Sequence, residues 1–222
     1  MNFDVDCFVN RVDKGAVLAG QALTREQLDL MAGHARELMV WNKKINLTAI
    51  RDVAQIAEKH FLDAVSVSPL LNNGSLAKGY RIMDMGTGGG FPAIPLKILN
   101  PDMELTMVDS VRKKTNFLNH VVRSLGLEDI CAVHARVEDL ANDPTHVRGY
   151  DAVISRGFAD LEKFVGLALP MLKPGGRIYA LKGDHAKEEI TPSLDQHFEI
   201  STAHYCLPFE KSDRYLVCLV PK

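Results

Sequence analysis

The chain has 222 residues, 46% of them hydrophobic and 24% charged, and its 26 Lys and Arg against 28 Asp and Glu leave a formal net charge of −2. That composition excludes a disordered, collagen-like or disulfide-scaffold polypeptide, and near-neutral charge leaves only a local basic face as a route to nucleic acid. The longest nearly apolar stretch, residues 165–172, is far shorter than the roughly 20 residues a membrane span requires, and the opening MNFDVDCFVN has no secretory pattern. The four cysteines, Cys7, Cys131, Cys206 and Cys218, are widely spaced with no CxxC pair, so neither structural zinc nor a disulfide framework is expected, and a reducing, cytoplasmic setting is.

Residues 1–78 read as a helical extension. Thr24-Arg-Glu-Gln27 has capping-box form, and Leu28, Met31, Ala35 and Leu38 then mark one face of a helix running to about Trp41. A second helix starts at Asp52, carries Val53, Ile56, Ala57, His60, Phe61 and Ala64 on one stripe, and stops near Pro69 and the Asn72-Asn-Gly turn. Each apolar stripe needs a partner, so the extension is expected to pack on the remainder of the chain.

Residues 79–222 alternate short apolar runs with helical stretches. Strands are expected at Arg81–Met85, Glu104–Asp109, Ile130–His134, Asp151–Ser155 and Arg177–Leu181, with helices near Pro92–Leu99, Val111–Leu125 and Asp160–Leu172. That order implies an α/β fold with a parallel sheet covered by helices. His197–Cys206 and Asp213–Val220 come next without a crossover helix and read as an antiparallel pair, giving seven strands.

The strongest local signal is Asp84-Met-Gly-Thr-Gly-Gly-Gly-Phe-Pro92 at the end of the first strand. Gly86, Gly88 and Gly90 permit positive φ and close backbone approach to a ligand, as a cofactor loop requires. A dinucleotide fingerprint would need glycine where Phe91 stands, and the Asp84 carboxylate would repel a pyrophosphate. S-adenosylmethionine, with no phosphate and a cationic sulfonium and ammonium, fits better. The second strand ends at Asp109, 23 residues after Gly86 (109 − 86), where a carboxylate can accept ribose hydroxyls. Asp109 or Ser110 can equally cap the next helix.

That helix region, Val111–Leu127, contains Arg112, Lys113, Lys114 and Arg123 and no acid, which makes it either an RNA-facing surface or a plain solvated one. Arg156, Lys182 and Arg214 fall at strand ends or adjoining turns, with phosphate contacts or alignment of a target base as candidate roles. Arg156 can also bridge to Glu138 or Asp84. No Cys–His pair, metal-ligand spacing or Ser/His/Asp order stands out, so no metal is expected and no catalytic base is assigned.

Trp41-Asn-Lys-Lys-Ile-Asn-Leu-Thr48, the glycine loop through Pro92, Leu105–Ser110, Arg136-Val-Glu138, Ile154-Ser-Arg156 and Leu181-Lys-Gly183 together resemble the glucose-inhibited division protein B family, from about Thr24 to Val220. These are the RsmG-type methyltransferases that modify a guanine at N7 in 16S ribosomal RNA. The resemblance implies a Rossmann-like class I methyltransferase, S-adenosylmethionine as cofactor, and 16S RNA or the small subunit as partner of a cytoplasmic monomer. By position it places cofactor contacts on Gly86, Phe91, Val137, Glu138 and Arg156. The chain departs from the family pattern at Ala93, where Gly is usual, at Gly157, where Ala is common, and at Ala64, where Ser often stands. The rival readings are an NAD-dependent Rossmann oxidoreductase and a non-catalytic RNA-binding assembly factor.

Overall fold

The computed structural model describes residues 3–74 and 76–222, so Met1, Asn2 and Ser75 of the expected extension lie outside the described residues. The chain begins with α1 (Val5–Leu18), which the sequence reading passed over. Asp4 caps it by accepting from the Cys7 amide at 2.9 Å, and Phe8, Val9, Val12, Gly15 and Ala16 form its buried face. Next comes α2 (Arg25–Trp41), opened by the expected capping box: Thr24 Oγ1 accepts from the Gln27 amide, and Gln27 Oε1 accepts from the Thr24 amide.

The helix expected from Asp52 is one helical run that changes its hydrogen-bond period three times. It passes from α3 (Val53–Ile56) into a π-helical turn (Ala57–Leu62), then α4 (Asp63–Val67), then a 3₁₀ stretch (Ser68–Gly74). The wide turn carries Glu58 and His60 and delivers Asp63, a placement typical of π-turns at functional sites. Gly15 lets α1 sit directly on it, since a Cβ there would lie within 2.3 Å of Leu62 Cδ1.

The sheet then runs as β1 (Arg81–Met85), α5 (Ala93–Leu99), β2 (Glu104–Asp109), α6 (Arg112–Leu125), β3 (Ile130–His134), α7 (Val137–Leu140), β4 (Tyr150–Arg156), α8 (Leu161–Ala168), β5 (Leu172–Lys182), α9 (Pro192–His197), β6 (Phe198–Cys206) and β7 (Asp213–Pro221). Strand order is β3-β2-β1-β4-β5-β7-β6. The first five strands are parallel, and β7 inserts antiparallel between β5 and β6.

One expected helix is shorter than Asp160–Leu172. Pro170 cannot donate to the ladder, so α8 gives way to a 3₁₀ turn at Leu169–Met171. Leu172 already belongs to β5, which therefore starts five residues before the expected Arg177 (177 − 172) and bulges against β4 through Pro174-Gly-Gly176.

Alternation along each central strand divides the core between the two sheet faces. Ile82, Leu105, Met107, Ala152 and Ile154 pack with Phe8, Met31, Leu38, Phe61 and Phe117 on the face that the extension covers. Met83, Met85, Val108, Val153 and Ile178 pack with Leu161, Phe164 and Leu194 on the other. The extension is also tied down by polar groups. Buried Glu58 accepts the Phe209 and Glu210 amides with Oε1, at 2.8 and 3.1 Å, which latches the β6–β7 turn to the helices.

Candidate functional site

Strand order reverses between β1 and β4, and the loops after these strands, with those after β2 and β3, meet at the carboxyl edge where open α/β sheets bind ligands. The glycine loop is held from two sides. Its Gly86 and Thr87 amides donate to Val108 O at 2.9 and 3.2 Å, and its Gly88 amide to Asp109 Oδ2 at 3.1 Å. From the extension, His34 Nε2 donates to Gly89 O at 2.9 Å.

The three glycines do different work. Gly86, at φ +71°, lies at the mouth of the site, where a Cβ would strike the Phe158 ring at 2.4 Å. Gly88 is half-exposed. Gly90 faces inward, where a Cβ would meet Ile94 and Leu118 at 2.6 and 3.0 Å, so its role is close packing of loop on helix.

Phe91 turns away from the loop's open side. Its ring is buried between His34 and His60, stacked on each at centroid distances of 4.7 and 4.5 Å, with Phe61 edge-on at 5.1 Å. Both histidines are held neutral by their surroundings. Burial brings His34 down to about 4 and, with the adjacent Arg156 charge, His60 down to about 3. Arg156 donates to His60 Nδ1 at 3.0 Å, so the ring proton sits on Nε2 and points at Thr48 Oγ1, 2.9 Å away.

Two hollows open beside the loop and share Gly157. The first, about 430 Å³, is lined by Gly86, Asp109, Ser110, Val137, Glu138, Lys114 and Phe158. It thus gathers five of the expected cofactor residues. Neither Asp109 nor Ser110 caps the next helix, whose N-cap is Val111 with no side-chain cap; Asp109 Oδ1 accepts from the Val111 amide at 2.8 Å and Oδ2 from the Gly88 amide, so it braces the glycine loop against the start of α6. Asp84 lies fully buried at the end of β1, neither oxygen having a partner at hydrogen-bond geometry. Burial drives its carboxyl up to about 7, against the opposing pull of the Thr87 hydroxyl, Arg156 and the Ala93 amide. Asp84 thus lies beneath the loop without lining either hollow, while the glycine mouth and the Asp109 and Glu138 carboxylates of the first hollow suit S-adenosylmethionine, whose methionine end is cationic and whose ribose offers two hydroxyls.

The second hollow, about 390 Å³, is lined by Lys59, His60, Asp63, Arg156, Lys182, Tyr205 and Arg214. Arg156 stands here, one residue from the first hollow, and it bridges to neither Glu138 nor Asp84. Its Nη1 donates to Asp63 Oδ2 at 3.0 Å and Lys59 O at 2.7 Å, because the π-turn brings those acceptors over the end of β4. Tyr205 completes the pair by donating to Asp63 Oδ1 at 2.7 Å, and burial plus that carboxylate push its phenol pKa upward. Lys182 Nζ is held by Glu189 at 2.6 Å and Ala159 O at 2.9 Å, and Arg214 by the Asp213 carbonyl at 2.9 Å.

The basic helix divides. Arg112 and Lys113 are exposed at its start, beside the site. Lys114 leans into the first hollow, 3.9 Å from Asp109. Arg123 lies eleven residues beyond Arg112 (123 − 112), roughly 16 Å along the axis, toward the amino edge of the sheet. A groove of about 480 Å³ adds two cations that the sequence reading passed over, Lys43 and Arg51, and adjoins the second hollow through Ile50. Asn42 shapes that groove, accepting from the Leu47 and Thr48 amides and donating to Thr48 O. Trp41 packs on Phe117 at 5.7 Å. His60, Asp63 and Tyr205 were missed as site residues. The spacing of His60 and Asp63 placed both on one short segment, but only the fold brings Arg156 and Tyr205 to them.

The fold recurs in a solved S-adenosylmethionine-dependent methyltransferase from Aquifex aeolicus, with TM-score 0.52 and 16% identity over 70% of this chain and 89% of that one. It recurs too in precorrin-6y C5,15-methyltransferase from Geobacter metallireducens, with TM-score 0.53 and 16% identity over 72% of this chain and 88% of that one. Sequence relatives are closer. A ribosomal RNA small subunit methyltransferase G from Geobacter sp. (strain M21) is 44% identical over 82% of this chain and 81% of its own length. Its counterpart from Geotalea uraniireducens (strain Rf4) is 40% identical over 92% and 93%. The family model for rRNA small subunit methyltransferase G matches residues 27–217, and with these relatives it shows that the chain belongs to that family.

Proposed function

We propose that the chain methylates N7 of a guanine in 16S ribosomal RNA, with S-adenosylmethionine as methyl donor. The family and its relatives carry the reaction and cofactor, and nothing in them favours an NAD oxidoreductase or a non-catalytic assembly factor. The observation that supports the division of labour is the pair of hollows meeting at Gly157: the first holds the carboxylates Asp109 and Glu138 among Lys114, Arg136 and Lys163, and the second gathers Lys59, Arg156, Lys182 and Arg214 around the single carboxylate Asp63.

S-adenosylmethionine supplies an electrophilic methyl on a positive sulfur. Gly86, Asp109, Ser110, Val137 and Glu138 would hold it, the two carboxylates being the acceptors among them. Guanine N7 is a bare lone pair in the major groove and has no proton to lose. Alignment is therefore the main demand, and the second hollow need supply no general base. Arg156, locked by Asp63 and His60, presents a rigid guanidinium there, while Arg214 and Lys182 offer donors to guanine O6 or a flanking phosphate. Exposed Arg112, Lys113, Lys43 and Arg51 extend this cationic rim for the RNA backbone.

We assign residues 1–78 to an extension that folds as one unit with the 79–222 core, and the working species to a cytoplasmic monomer. Among the described residues no helix is long and apolar enough to cross a membrane. The test is direct. The purified chain should retain S-adenosylhomocysteine but not NADH, and should transfer tritiated methyl to 16S RNA from a strain lacking the enzyme. Failure of either overturns the reading.

A further inference from the structure

Among the described residues, one group of three side chains brings metal-ligand atoms within 4.8 Å of one another: His204, Cys206 and Asp213, all exposed. It lies outside both hollows. His204 and Cys206 are two residues apart on β6 and so share a sheet face, and Asp213 of β7 stands directly opposite Cys206 in the register. The distances are 2.7 Å from His204 Nε2 to Asp213 Oδ1, 3.7 Å from Cys206 Sγ to His204 Nε2 and 3.4 Å from Cys206 Sγ to Asp213 Oδ1. A tetrahedral zinc with bonds of about 2.0–2.3 Å sets neighbouring donors about 3.3–3.6 Å apart. Both sulfur distances already match that spacing to about 0.2 Å, and only the His–Asp pair must open, by about 0.6 Å.

We propose that these three residues form a zinc site that staples the turn end of the β6–β7 hairpin, with water in the fourth position. One nitrogen, one thiolate and one carboxylate suit zinc and exclude magnesium or calcium, which want oxygen alone. Binding balances simply. Cys206 loses its thiol proton to solvent, and His204 moves its ring proton from Nε2 to Nδ1, which frees Nε2 for the metal. The opposite face of the same strand ends carries Tyr205 and Arg214, both in the second hollow. The Asp213 carbonyl that holds Arg214 belongs to a ligand residue, so the staple would fix the cations that face the guanine without joining the chemistry. Sequence spacing hid this group, because His-x-Cys with Asp seven positions on (213 − 206) matches no familiar zinc pattern.

Cobalt and zinc titrations of the reduced, chelator-stripped chain test it. One Co²⁺ per chain should bind with a thiolate charge-transfer band and tetrahedral ligand-field bands, release about one proton, and be displaced by Zn²⁺. The thiolate band should vanish in Cys206→Ser, and affinity should fall at least tenfold in His204→Ala, while Cys131→Ser changes nothing. Circular dichroism and S-adenosylhomocysteine binding confirm that these surface variants fold. A spectrum without a thiolate band, or one unchanged by Cys206→Ser, overturns the site.

Discussion

The two hollows meet at one glycine yet are built in opposite ways. The first comes from the turns after β1, β2, β3 and β4, and within it the acceptor Asp109 lies only 21 residues from the Gly88 amide it receives. The second joins residues far apart in the chain: Arg156 reaches 93 residues back to Asp63, and Tyr205 reaches 142. A cofactor site repeated across a fold class can be local, because its ligand is fixed. The second hollow, proposed above for the target base, is assembled between the helical extension and the far side of the sheet, where β6 and β7 lie.

The sharpest way to break this contrast is Arg156. Arg156→Ala should lower single-turnover methyl transfer about 100-fold, the loss expected when an aligning group goes, and leave S-adenosylhomocysteine affinity within about threefold. Because Asp63 would be left buried without its cation, Arg156→Lys is the companion variant, keeping the charge but not the fixed fork. An equal fall in cofactor affinity would merge the two hollows into one site.

Asp109 is the mirror experiment. Asp109→Ala removes the proposed ribose acceptor and frees the Gly88 amide, and should weaken S-adenosylmethionine binding about ten- to hundredfold with RNA affinity unchanged. Calorimetry for the cofactor and filter binding for the RNA measure the pair.

A third outcome concerns the seam between extension and loop. His34 and His60 have pKa values lowered from 6.5 to about 4 and about 3, so both favour the folded state above pH 6.5. Each loses about 1.4 kcal/mol of that stability per pH unit as pH falls below 6.5 toward the folded value. Asp84, raised from 3.8 to about 7, runs the other way and favours the folded state as pH falls below 7. One proton remains uncompensated, so about 2 kcal/mol should disappear between pH 6.5 and 5, as urea melts would show. His34→Gln should flatten that profile, and an unchanged slope would mean the ring is not buried neutral.

The smallest effect belongs to the rim. Replacing Arg112 and Lys113 together should make the log–log salt dependence of RNA binding shallower by about 1.5 without moving the methylated base. Arg123→Ala, at the far end of α6, should leave it unchanged. A slope that responds to Arg123 instead would relocate the RNA path.

Legibility in the sequence divides along the same line. Capping residues, strand alternation and the glycine loop announce themselves within a dozen residues, so the seven strands and the main helices were legible, whereas α1 and the short α7 and α9 were not. Phe91 was legible as a residue that spoils a dinucleotide fingerprint, but not as the plate between His34 and His60, because that stack joins three separate segments. The π-turn was invisible, since its apolar stripe reads like any helix, and it is this turn that brings Asp63 to Arg156. Lys114 and Arg123 looked equivalent to Arg112 among the basic residues, and only helix direction separates them.

Where the methyl lands is the most direct measure of how the two hollows share the reaction. Digestion of 16S RNA after reaction, with mass spectrometry of the products, should find one 7-methylguanosine with the intact chain, and little or none with Arg156→Ala that still retains S-adenosylhomocysteine. A methyl on another base or atom, or undiminished transfer by that variant, would contradict the assignment of the second hollow to the guanine.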